Sequence, residues 1–178
     1  DLNNNRNVRL IIFKSNIEHF SAGADLKERS IMNNQQGIEA LNAFKECFSE
    51  IENSNKITIC CINGYCLGGG AELSLCFDFR IGSQNSIIGF PEVGIGIIPG
   101  AGGTQRLPKI IGLSNAKYWI LTAKKFNSDD ALKFNFLTLV SENDQLFEYA
   151  LILANKILTN SPYGIRCAKK AIDSGFNL

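Results

Sequence analysis

Histidine is nearly missing from this 178-residue chain, where His19 is the only one. That scarcity removes whole classes of chemistry. An HExxH zinc site needs two imidazoles on one helix face, and a serine or cysteine nucleophile would have to take His19, in a loop, as its base. His19 itself reads as a surface residue. Nucleotide signatures are missing too. The run Gly100-Ala101-Gly102-Gly103-Thr104-Gln105 carries Gln where GxGxxG needs its last glycine, and no suitable lysine follows to make GxxxxGK[ST]. Nucleotide hydrolysis and dinucleotide redox chemistry are therefore not expected.

The six cysteines, Cys47, Cys60, Cys61, Cys66, Cys76 and Cys167, contain no CxxC pair and no framework spacing. They read as reduced core thiols, with the adjacent Cys60 and Cys61 facing opposite sides of a strand. No apolar run approaches the roughly 18 residues of a membrane span, so no membrane partner is expected. Net charge is only +1, which advertises no polyanionic partner. RNA binding would need a basic stripe with accessible aromatics, and Lys124-Lys125 and Lys169-Lys170 are short. The start, DLNNNRNVRL, has no initiator Met and resembles neither a secretory signal nor an Arg-rich transit peptide, so an upstream segment is expected.

What is present is a chain with 45% hydrophobic residues, enough for one substantial core. Val8 to Lys14 and Ile57 to Ile62 read as buried strands, and apolar residues at Ile38, Leu41, Phe44, Phe48 and Ile51 predict a helix from Gly37 to about Asn53. Gly64 and Gly68-Gly69-Gly70 break the second strand, and a helix follows over Ala71 to Cys76. Phe77 to Gly82 and Ile87 to Phe90 read as short strands, and GIGIIPGAGGT as an irregular, shaped loop. Ser114 to Thr122, Ser128 to Phe134, Leu146 to Leu158 and Pro162 to Ile172 have helical spacing, two of them with a serine suited to the N-cap. Strands alternating with helices before a helical tail indicate an α/β class.

Two glycine-rich loops, Ser21-Ala22-Gly23-Ala24-Asp25 and Leu67-Gly68-Gly69-Gly70-Ala71-Glu72, each leave the end of a strand. Small side chains let a ligand approach backbone N–H groups, and two such loops could clamp a developing oxyanion. The plainer alternative is that the glycines only permit tight turns. Glu72, in the apolar segment AELSLC, and Glu92, between Pro91 and Val93, occupy positions unnatural for solvated carboxylates. Two acids facing one small site hold their pKa values apart, giving a proton donor and an acceptor suited to adding or removing water. Glu72 as a helix-start charge is the plainer alternative here.

FSAGADLKER, INGYCLGGGAELSLCFDFRIG and FPEVGIGIIPGAGGTQRLPKIIG, in that order and spacing, resemble the signatures of the crotonase, or enoyl-CoA hydratase/isomerase, superfamily. The likeness runs through nearly the whole chain. It implies a crotonase-like spiral of ββα turns with a helical C-terminal region, one domain over 1–178, and assembly as a homotrimer or as a hexamer made of two trimers. It also implies an oxyanion hole made by the N–H groups of Ala24 and Gly69. The family's two acids fall on Glu72 and Glu92, twenty residues apart. Glu72 would activate the water that attacks the β-carbon of a 2-enoyl-CoA and Glu92 would protonate the α-carbon. Alternatives on the same scaffold are double-bond isomerisation, for which one acid suffices, or an RNA-binding, non-catalytic role.

Contact with the acyl-CoA is implied for Ala22, Ala24, Asp25, Leu26, Lys27, Gly69 and Gly100, with Lys27 near the phosphate or pantetheine end. No metal or redox cofactor is implied, coenzyme A being part of the substrate. Arg106 is expected to hold its loop by hydrogen bonds to carbonyls, and Phe90 to narrow the pocket. ADLKER followed by IIPGAGGTQRLP is most similar to the branch containing methylglutaconyl-CoA hydratase, associated with AU-rich RNA and usually mitochondrial; a cytoplasmic location is the other expectation. The family carries segments before Asp1 and after Leu178, so both are expected to be missing here.

Overall fold

The computed structural model describes residues 2–175. Its larger sheet is wholly parallel, in the order β1-β2-β4-β7, from β1 (Leu10–Lys14), β2 (Ile57–Ile62), β4 (Phe79–Ser83) and β7 (Leu139–Ser141). Register pairs Ile12 with Ile59, Cys60 with Arg80, and Gly82 with Val140. A smaller sheet, β3-β5-β6, joins β3 (Tyr65–Leu67) and β5 (Ile87–Gly89) in parallel and adds β6 (Lys125–Asn127) antiparallel.

Sequence explains this division. ITICCI is apolar except at Thr58, whose hydroxyl donates to the Asp78 carboxylate, because β2 is covered on both faces. Cys60 and Ile62 join the main core with Leu75, Ile88, Leu107 and Trp119, whereas Ile59 and Cys61 meet Leu146, Ala150 and Ala154 of α7 (Leu146–Leu158) on the other face. The two adjacent cysteines thus point to opposite sides, as period-two alternation requires. Burying each of the isoleucine and leucine side chains among these contributes about 1.5–3 kcal/mol. After β2 the chain turns at Gly64 into β3 and then α3 (Gly69–Ser74); after β4 it turns into β5, a 3-10 turn (Glu92–Ile95), α4 (Gly103–Ile111) and α5 (Leu113–Leu121). Strand, strand, helix recurs as the chain winds. Then β6, α6 (Ser128–Lys133), β7, α7 and α8 (Pro162–Gly175) follow.

Several expectations change. α4 begins inside the stretch read as an irregular loop; its glycine start and internal Pro108 hide its period. The segment after Ala24 forms a short helix, α1 (Leu26–Ile31), with no buried residue, and α3 starts at Gly69 rather than Ala71. The three-residue strands β3, β6 and β7 are too short to show alternation. α6 is capped by Asn127, whose side chain accepts from the Asp130 N–H, while Ser128 instead donates to the Gln84 carbonyl. α5 follows Gly112 with no side-chain cap.

All six cysteines are free, yet Cys47 and Cys167 are exposed rather than in the core. Burial pushes the Cys66 and Cys76 thiols up to about 12. His19 is half-buried, not a loose surface residue: its ring packs 4.5 Å from that of Tyr65, and its Nδ1 accepts a long, 3.4 Å bond from the Tyr65 N–H.

Candidate active site

The two glycine loops meet because Ser21 pairs with the small sheet's first strand. Its N–H donates to the Tyr65 carbonyl at 3.0 Å, and its own carbonyl accepts from Leu67 N–H at 2.9 Å. That bridge presses the loops together so closely that side chains are excluded. A Cβ on Gly70 would lie 2.3 Å from the Ser21 carbonyl oxygen, and one on Gly23 would lie 2.9 Å from the Gly69 nitrogen, at a φ of +91° that also favours glycine.

A Cβ on Gly69 would stand 3.7 Å from the Ala24 nitrogen, so the backbones of Ala24 and Gly69 run side by side. Gly69 is the first residue of α3, where an N–H has no acceptor inside the helix. Among the described residues neither this N–H nor that of Ala24 meets an acceptor. Two unpaired donors therefore lie next to each other at one edge of a cleft.

Glu72 sits one turn into α3, 3% exposed. Its Oε1 accepts from the N–H groups of Ala101 and Gly103, each at 2.8 Å. Glycine at 103 suits this close approach, since a Cβ there would stand 3.0 Å from that same oxygen and would press it aside by a few tenths of an ångström. Burial raises the Glu72 pKa above its ordinary value; the Gly103 N–H opposes the rise, Glu92 reinforces it, and Ala101 and Arg106 oppose it.

Glu92 opens the 3-10 turn, 8% exposed, with Oε1 3.2 Å from where a Gly68 Cβ would be. Its Oε2 is buried without a hydrogen-bond partner among the described residues. Burial raises its pKa as well, opposed by its own backbone N–H. The two carboxyls thus differ in kind. Paired N–H donors favour an anion at Glu72, and an unpartnered buried oxygen favours a neutral acid at Glu92.

Both acids line a cleft of about 2370 Å³ together with Ala22, Ala24, Leu26, Gly69 and Gly100. Asp25 and Lys27 are not part of its wall. Asp25 caps α1 by accepting from the Lys27 N–H at 2.8 Å, and Lys27 is exposed on that helix. Phe90 does not narrow the cleft either; it is fully buried in the main core, behind Gly103. Arg106 holds the loop as expected, donating to the Ala101 carbonyl at 2.9 Å. The reading of the sequence missed the N–H donors of Ala101 and Gly103, for which GAGGT was the available signal. Among the described residues no group of three or more His, Cys, Asp or Glu side chains is gathered for a metal ion, and no helix is long and apolar enough to cross a membrane.

Known proteins share this fold. The chain is 38% identical over 173 residues to a short-chain-enoyl-CoA hydratase of Clostridium acetobutylicum, covering 97% of this chain and 66% of that protein. It is 37% identical over 182 residues to a mitochondrial methylglutaconyl-CoA hydratase of Mus musculus, covering 99% of this chain and 58% of the relative. The crystal structure of an enoyl-CoA hydratase from Bacillus anthracis superposes with a TM-score of 0.96 at 40% identity, covering 99% of this chain and 69% of that one. The chain thus spans about three-fifths to two-thirds of the length of these curated relatives. The family profile for enoyl-CoA hydratase/isomerase matches residues 1–178, and the chain belongs to that family.

Proposed function

We propose that the protein hydrates 2-enoyl-CoA thioesters, and that the contrast between its two buried carboxyls carries the reading. The thioester oxygen accepts from the N–H groups of Ala24 and Gly69. Glu72, ionised, takes a proton from water as the water oxygen bonds to the β-carbon. The π electrons move to the thioester oxygen, where the two donors hold the enolate. As the enolate collapses, the α-carbon takes the proton of Glu92, whose burial raises its pKa and so favours the protonated form. The product is the 3-hydroxyacyl thioester, and a proton passed from Glu72 back to Glu92 through solvent resets the site. No step needs a metal or redox cofactor.

Loss of the conjugated thioester absorbance of crotonyl-CoA tests this directly. Rapid loss with the parent, reduced about 10²–10⁴-fold in both Glu72→Gln and Glu92→Gln, is expected. A folded parent that leaves the absorbance unchanged overturns the reading. One relative, from Mycosarcoma maydis, is named an enoyl-CoA isomerase/hydratase. Double-bond isomerisation is accordingly the second reading, distinguished by full activity surviving the loss of one acid. Self-assembly belongs to the same proposal, supported by exposed apolar side chains on α5 and α7 such as Leu121 and Ile152.

A further inference from the structure

We infer that Arg106 is a positioning residue for Glu72: tied to Glu52 on α2 (Asn34–Glu52), it clamps the peptide unit lying between the two that grip the Glu72 carboxylate. The inference rests on the hydratase reading for its consequence in rate, though not for its geometry. Three consecutive peptide planes are involved. The first carries the Ala101 N–H, the second the Ala101 carbonyl, and the third the Gly103 N–H. The outer two donate to Glu72 Oε1, and the middle one accepts from Arg106 Nη1 at 2.9 Å. Turning the middle plane would swing both donors off the carboxylate, and the guanidinium prevents that turn.

Gly102 shows how closely the arginine is fitted. Its φ is +110°, and a Cβ there would stand 2.0 Å from Arg106 Nη1, so this loop conformation admits only glycine while the arginine is in place. At its far end, Nη2 donates to Glu52 Oε2 at 2.7 Å. Glu52 is 45% exposed at its side chain and Arg106 14%, so the pair contributes little to stability as an ion pair. Its value is directional. A planar fork held at two nitrogens has one orientation, which a lysine ammonium does not impose.

The guanidinium also acts by charge. The titratable and charged groups facing Glu72 are Glu92 from the 3-10 turn, Arg106 from α4 and Cys76 from the turn just after α3; Glu52 of α2 acts on Arg106. Of these, only Arg106 favours the anion. Losing it moves Glu72 toward the protonated, inactive form.

The test combines kinetics on crotonyl-CoA with a ¹³C-carboxyl NMR titration of Glu72, which needs no turnover. Arg106→Gln is expected to lower kcat about 10²-fold, as for a misplaced reacting group, with KM little changed. The acid limb of kcat/KM and the Glu72 titration should both move to higher pH. Arg106→Lys should restore the titration but only part of kcat, and Glu52→Gln should shift both in the Arg106→Gln direction, by less. If Arg106→Gln fails to fold, the Lys and Glu52 variants decide. An unmoved Glu72 titration in folded Arg106→Gln, or, where that variant does not fold, an unmoved titration in Glu52→Gln or a kcat of Arg106→Lys equal to the parent's, overturns the inference. A silent parent whose Glu72 titration still responds to Arg106 overturns the hydratase reading instead.

Discussion

The interior around Trp119 and the interior around Gly68 lie in one fold and obey opposite rules. Trp119 stacks on Phe126 with centroids 4.1 Å apart and planes 8° from parallel, and on Phe136 at 5.3 Å, with all three rings essentially fully buried. Contact and exclusion of water account for everything there except one unpaired indole N–H. Around Gly68 the chain buries two carboxyls and, among the described residues, leaves one carboxyl oxygen and two N–H donors unpaired. Such burial is unfavourable in the unliganded protein. The first region stabilises; the second forgoes hydrogen bonds.

Substitutions that respect this division should separate activity from stability. Glu72→Gln and Glu92→Gln should each lower turnover about 10²–10⁴-fold, while the thermal midpoint stays or rises, because each removes a buried ionisable group. A variant that lost its fold in proportion to its activity would erase the distinction. Trp119→Ala should do the converse. The lost ring costs about 3–5 kcal/mol, a fall in Tm on the order of 10 °C for a chain of this size. Activity assayed well below the transition should stay within the parent's order of magnitude.

Gly70→Ala is the variant that should break the comparison, because Gly70 touches both regimes. It is buried at the foot of the core helix and is also the point where α3 meets the Ser21 loop. Its new Cβ would have to push back a backbone oxygen 2.3 Å away. Overpacking of this kind costs about 1–3 kcal/mol, and displacing Ala24 from Gly69 should reduce kcat by up to about 10²-fold. Calorimetry and the crotonyl-CoA assay on one preparation would report both losses together.

The same division decides what was legible in the sequence. β2 and α2 are readable because burial writes a near-continuous apolar run or a period into side chains, the first in ITICCI, the second in the Leu41-Phe44-Phe48 row. Glu72 and Glu92 are readable for the opposite reason, being charged where the pattern demands apolar residues. Less is visible where backbone does the binding. Ala101 and Gly103 hold Glu72 through N–H groups, which every non-proline residue has, so only the spacing of small residues hinted at them. α4 was obscured because the glycines that admit Glu72 and Arg106 are poor helix signals, and Pro108 interrupts its hydrogen bonding. Asp25, expected to touch the acyl-CoA, also caps α1, accepting from the Lys27 N–H, a role that an aspartate just before a helix takes readily.

The smallest expected effect is also the most direct test of how Glu92 is buried. Burial raises its pKa above the ordinary 4.5, so the folded protein favours the neutral acid more than the unfolded chain does. A carboxyl shifted in that direction contributes stability that is fully present below its unfolded pKa and is lost as pH rises through the folded value. Glu92→Gln carries no such titration. The difference in Tm between this variant and the parent should therefore widen in the variant's favour as pH increases from about 4 toward 8. Taking the difference cancels the titration of every other group the two proteins share. A gap that stays constant, or narrows as pH rises, would mean that the Glu92 carboxylate finds in the folded protein a partner its lone oxygen lacks, and with that the case for Glu92 as the proton donor would fail.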